Sequence, residues 1–171
     1  LFAWQAYGVK PDALSMAKAI ANGFPMGAMI AQRHLSGILT PGTHGTTFGG
    51  TPLACAAACA VIDTIKKDKL LANCAKQGKF LMEQLGKLSS KYSCVKGVRG
   101  KGLMIGLVLD TPAGELIGIL RKKGLIALPA GETVLRLLPP LTVSGAECKD
   151  AVSIIDSALK ELLESRKKAK K

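Results

Sequence analysis

The segment PGTHGTTFGGT, Pro41–Thr51, sets the tightest limit on what this chain can fold into. It packs four glycines and three inner hydroxyls into a run too entropically costly for a helix or strand interior. It is therefore a loop. Pro52 follows, and from there the pattern is helical, with Leu53, Ala56, Ala57, Ala60, Val61 and Ile65 expected on one face. Proline suits a first helical position and Thr51 suits the N-cap. A glycine loop feeding a helix N-terminus gathers free backbone N–H groups and the positive end of the helix dipole, a combination that suits a phosphate. The segment is not a P-loop, because no lysine follows the glycines. A purely structural turn is the other reading. His44 has no second His or Cys at ligand spacing, so it is read as loop packing and no metal is expected.

Upstream, Tyr7–Asp12 reads as a turn and Ala13–Ala17 as a short strand that delivers Lys18. Gly23, Pro25 and Gly27 then exclude a regular helix and indicate a tight loop before a strand at Ala28–Ala31. Lys18 has the apolar neighbours Ala17, Ala19 and Ile20. Desolvation there would favour the neutral amine, the form that condenses with a carbonyl. The competing reading is a surface lysine with a snorkelling stem.

Downstream of Lys66–Lys69 a second helix is expected over about Leu70–Leu88. Val95–Arg99 and Leu103–Leu109 read as strands joined by Gly100-Lys101-Gly102, where Lys101 fits a flexible turn. A helix ending at Gly124, a short strand at Leu125–Leu128 and another at Thr133–Leu138 follow. Ser144 and Glu147 form a capping box for a last amphipathic helix. Arg136 stands inside an apolar strand, so a buried guanidinium there needs a partner: a protein carboxylate or a substrate carboxylate held bidentately. The order of elements places a boundary near residue 67, between residues 1–67 and a small α+β domain at 68–171.

Composition narrows the class. Hydrophobic residues make up 48% and aromatics only 4%, so the core must come from aliphatic side chains. No apolar run reaches the roughly 18 residues of a membrane span. The start lacks the basic, apolar and small-residue pattern of a signal peptide, lacks Met, and reads like the interior of a longer protein. Cysteines 55, 59, 74, 94 and 148 are odd in number without a CxxC pair, which suits free cytoplasmic thiols; Cys55 and Cys59 are expected to pack in their helix. The charge of +12 is spread over helix surfaces apart from Arg166–Lys171, read as a solvated tail. Without interleaved aromatics there is no case for nucleic acid, and none for a membrane.

Four ordered segments resemble the class III aminotransferases of fold type I: PDALSMAKAIANGFPMGA (11–28), THGTTFGGTPLACAAA (43–58), VRGKGLMIGL (98–107) and VLRLLPPLTVS (134–144). The resemblance implies an α/β fold: the C-terminal part of a pyridoxal-phosphate-binding large domain at 1–67, and a small α+β C-terminal domain at 68–171. Lys18 matches the Schiff-base lysine, which also moves the proton between the substrate α-carbon and the cofactor C4′. Thr47, beside Thr46, matches the threonine that contacts the cofactor phosphate from the partner subunit of a homodimer. Gly49 and Gly50 match the glycines that let this loop pass close to the subunit boundary. Arg136 matches the arginine for the substrate α-carboxylate. The implied reaction moves the terminal amino group of N-acetylornithine or ornithine to 2-oxoglutarate, in arginine biosynthesis and in the cytoplasm. Succinylornithine and 4-aminobutyrate enzymes share most of the motifs. Thr51 departs from the usual Asn. The family's phosphate Gly-Thr loop, ring-stacking aromatic, pyridine-nitrogen Asp and second substrate arginine all match upstream segments outside this chain. A reading of another class is an inactive fragment that acts as a basic interaction module.

Overall fold

The computed structural model describes residues 1–169 and divides into two compact units, Leu1–Lys69 and Leu70–Lys171. In the first, helix α1 (Ala3–Tyr7) ends at Gly8, whose φ of 65° only a glycine adopts without strain. Of the stretch Tyr7–Asp12 expected to be a turn, only Tyr7 is helical, and the turn follows at Gly8. Strands β1 (Ala13–Met16) and β2 (Ala28–Ala31) pair antiparallel, with Ala13 opposite Ala31 and Met16 opposite Ala28. Gln32 ties the ends of this ribbon together: its backbone N–H donates to Asp12 O at 2.8 Å and its side-chain amide to Pro11 O at 2.9 Å. Between the strands the chain makes a 3-10 turn at Lys18–Ala21.

Helix α2 (Pro52–Lys67) packs on that turn. Its buried residues are Ala54 and Ala58, and Ala21 of the turn is buried as well; methyl-sized side chains suit a close approach. The expected inward face was therefore misplaced. Leu53 is 63% exposed, Ala56 and Ala60 are exposed too, and the partly buried positions are Ala57, Val61, Ile62 and Ile65. In an Ala-rich helix the apolar pattern is too even to fix which alanines turn inward. Cys55 and Cys59 follow the same correction: both are exposed. Thr51 occupies the N-cap position without a side-chain capping bond, because its hydroxyl donates to Phe48 O at 2.6 Å instead.

The second unit is a four-stranded antiparallel sheet with helices α3 (Leu70–Lys91), α4 (Gly114–Lys122) and α5 (Gly145–Ala169). Strands β3 (Val95–Lys101), β4 (Met104–Leu109), β5 (Leu128–Pro129) and β6 (Val134–Leu137) lie in the order β3-β4-β6-β5. Alternation sends Ile105, Leu107, Leu135 and Leu137 inward, onto Leu81 and Leu85 of α3, Leu116 and Leu120 of α4, and Ile155 and Leu159 of α5. Burial of this aliphatic set is the main driving force for the unit. Cys94 and Cys148 lie in it, and burial pushes both thiols up, away from the reactive thiolate. The capping box is formed: Glu147 N–H donates to Ser144 Oγ at 3.2 Å, and Ser144 N–H to Glu147 Oε2 at 2.7 Å. The bond from the Ser144 N–H, with one from the Ser144 side chain, holds the Glu147 carboxyl below the usual carboxylate range.

Two expectations change here. The strand expected at Leu125–Leu128 is instead the two-residue Leu128–Pro129; Ile126 is 84% exposed and only Leu128 and Pro129 pair with β6. The basic run is not simply a tail. Through Ala169 it continues α5, and Arg166 pairs with Glu115 Oε2 at 2.9 Å and donates to Thr111 Oγ1 at 3.0 Å. Lys170 and Lys171 lie outside the described residues. Among those residues no helix is long and apolar enough to cross a membrane.

α3 and α5 are clasped by Lys91, Tyr92 and Asp156. Lys91 Nζ reaches Asp156 Oδ1 and Oδ2 at 2.7 and 2.8 Å, and the Tyr92 hydroxyl donates to Oδ1 at 2.8 Å. Tyr92→Phe is expected to cost about 1 kcal/mol in urea unfolding, the usual net worth of such a bond. The bond from Lys91, with that from Tyr92, holds the Asp156 carboxyl below its usual range. The clasp is therefore complete at neutral pH and is lost as pH falls through that lowered value. Asp156→Asn should flatten this acid limb of the stability profile, and an unchanged acid limb would show that the clasp contributes nothing.

Candidate active site

Lys18 begins the 3-10 turn between β1 and β2, with φ of 58°. A non-glycine residue in the left-handed region costs about 1 kcal/mol, so the surrounding turn imposes this conformation. Ala17 before it is extended, and Asn22 closes the turn in the left-handed region too, with its N–H bonded to Ala19 O. Ala21 is buried under the turn and α2 supports it from below. The lysine is thus anchored by its backbone while its side chain is exposed. Ala17 and Ala19 are also exposed, so burial within this chain does not supply the desolvation that the apolar neighbours suggested. The reason is geometric: the turn projects from a ribbon of only two strands.

Beside Lys18 opens a hollow of about 550 Å³ lined by Ala19, Asn22, Gly23, Phe24, Pro25 and Met26. A second, of about 530 Å³, is lined by Thr46, Phe48, Gly49, Gly50, Thr51 and the first turn of α2. Phe24, Pro25 and Met26 form a wall common to both. The amine and the glycine loop therefore lie on neighbouring concavities of one unit. Neither the wall nor its aromatic was singled out in the sequence, although Phe24 is one of only four phenylalanines.

The loop is built by short-range bonds. Gly49 N–H donates to Thr46 O and Thr51 N–H to Phe48 O, each at 3.4 Å. A Cβ at Gly49 would collide with the Thr46 side chain, and Gly50 has φ of 71°. The turn thus requires glycine at position 50, while a side chain at position 49 would force the Thr46 side chain to move. Thr46 lines the hollow; Thr47 is exposed and outside the lining. The donor set, an amine on one side and hydroxyl with backbone N–H groups on the other, fits a ligand with an aldehyde and a phosphate.

The second unit carries Arg136, half-buried on β6 opposite Gly106 and Leu128. None of the ion pairs among the described residues involves it. Lys101 closes β3 at the tight hairpin into β4, where Gly102 has φ of 56°.

The family model for class-III aminotransferases matches residues 1–159. The chain belongs to the class-III aminotransferases. The acetylornithine aminotransferase of Bacillus subtilis is 46% identical over 159 residues, covering 92% of this chain and 41% of that enzyme. The succinylornithine transaminase of Photorhabdus laumondii is 40% identical over 163 residues, covering 93% and 40%. Among solved structures, the ornithine aminotransferase of Toxoplasma gondii superimposes with a TM-score of 0.89 at 30% identity, over 95% of this chain and 40% of that one. The acetylornithine aminotransferase of Elizabethkingia anophelis gives 0.84 at 34% identity, over 92% and 43%. This class-III chain thus spans about two fifths of the length of the relatives it matches.

Proposed function

We propose that the chain is part of a pyridoxal-phosphate-dependent transaminase that moves the terminal amino group of N-acetylornithine or ornithine to 2-oxoglutarate, within arginine biosynthesis in the cytoplasm. One observation carries this reading: Lys18 and the Thr46 loop line two hollows that share the Phe24–Met26 wall. Family membership and the names of the relatives support the substrate class.

When bound, the cofactor supplies an electron sink for the carbon that loses a proton. Lys18 Nζ would hold it through its aldehyde carbon. The Lys18 amine, when free, would move the proton between the carbon bearing the transferred nitrogen and C4′. Backbone anchoring of the turn keeps the amine in place between these two tasks. The loop N–H groups and the Thr46 hydroxyl hold the phosphate. Thr47, turned out of its own hollow, reaches the phosphate of a second copy in a homodimer. Arg136 holds the α-carboxylate of the 2-oxo acid in a bidentate pair.

The test is chemical labelling. The full-length polypeptide is mixed with pyridoxal phosphate, reduced with borohydride and digested, and the modified peptide is mapped by mass spectrometry. A single label on Lys18 is expected. Labels scattered over many lysines, or an unmodified Lys18, would sink the reading.

A further inference from the structure

Resting on the reading of Arg136 above, we propose that Arg99 is a second carboxylate-binding arginine, which converges with Arg136 over Gly106 on one carboxylate of the 2-oxo acid.

The strand register carries the argument. Arg99 on β3 stands opposite Gly106 on β4, and Gly106 stands opposite Arg136 on β6. Directly opposed residues share a face of a sheet, so the two arginines flank one glycine on the same side. Two strand spacings separate their Cα atoms by roughly 10 Å, within reach of two arginine side chains bending toward each other. The stem of Arg99 starts over that glycine: a Cβ on Gly106 would lie 3.9 Å from Arg99 Cγ. The same Cβ would lie 2.9 Å from Val134 Cγ1, so only a glycine leaves the floor between the arginines open. Arg99 is exposed and Arg136 half-buried, and neither guanidinium has an ion-pair or side-chain hydrogen-bond partner among the described residues. Two neighbouring cations repel, and an anion between them reverses the sign of the interaction. A carboxylate offers about four lone-pair sites, enough for both guanidinium forks.

The experiment uses the full-length holoenzyme, with Arg99→Gln, Arg99→Lys and, as reference, Arg136→Gln. In Arg99→Gln the KM for 2-oxoglutarate should rise about tenfold, the usual loss of one charge-assisted bond. Arg99→Lys should recover part of the loss. Calorimetric titration of the resting enzyme with propionate and with glutarate should show both weakened alike. Weakening of glutarate alone would overturn the proposal, since Arg99 would then serve the distant carboxylate. Unchanged KM and unchanged titrations in Arg99→Gln, beside a raised KM in Arg136→Gln, would overturn it while leaving Arg136 in its role. An unchanged KM in Arg136→Gln would remove the Arg136 reading and this inference with it.

Discussion

Lys18→Ala is expected to lower transaminase turnover by roughly 10³-fold, because it removes both the anchor of the cofactor and the base that moves the proton. Stability should hardly change. The side chain is exposed, and alanine at φ of 58° is no more strained than lysine. A melting temperature close to the parent's would therefore separate chemistry from folding. A small primary amine such as methylamine, added to Lys18→Ala, should restore part of the rate, since it can carry the proton that Nζ carried. Lys18→Arg should show no such recovery of function: it keeps the charge, but a guanidinium does not give up its proton. Lys69 is the control. It too has positive φ, 54°, but it sits at the junction of α2 and α3, where a helix end requires it. Lys69→Ala should leave turnover alone. Retention of more than a tenth of the rate in Lys18→Ala would remove the lysine from the mechanism.

That contrast bears on what the amino-acid sequence could reveal. Where a local signal and the tertiary structure agree, the reading was sharp. β2 falls on Ala28–Ala31 as read, because Gly27 and the loop before it leave no other start. The Ser144–Glu147 box forms as read, because both of its bonds are made within four residues. Failures came where a distant neighbour decided. Leu125–Leu128 has strand composition, but Pro129 lacks an N–H and only a two-residue edge can pair with β6. The inward stripe of α2 was set by the Lys18 turn packing on it, which an Ala-rich pattern does not encode. The strand that leads to Lys18 was legible in its composition, whereas the shared Phe24–Met26 wall required coordinates. Arg99 carries no signal of its own. Its interest lies wholly in a register that places it across a glycine from Arg136.

The same register depends on a close approach that gives the second large effect. Gly78→Ala should destabilise the protein by about 3 kcal/mol, while Gly86→Ala, two turns along the same helix, should stabilise it by about 0.5 kcal/mol. A Cβ on Gly78 would overlap the carbonyl of Gly102, at the turn between β3 and β4. Both sides of that contact are backbone, so no side chain can swing away. The turn cannot retreat easily either. Gly102 is in the left-handed region, and a Cβ there would lie 2.8 Å from Cys74 Sγ on the same face of α3. At Gly86 an added Cβ meets nothing within 4 Å, so only the better helix propensity of alanine remains. Opposite signs from one substitution on one helix, read as urea midpoints, isolate packing from propensity. Equal signs would mean that α3 does not lie against the hairpin as described. The consequence reaches the site as well. The turn at Gly102 fixes how β3 runs beside β4, and that alignment sets Arg99 over Gly106. Gly78→Ala should therefore also raise the KM for the 2-oxo acid, at temperatures where the variant is still folded, and leave labelling of Lys18 intact.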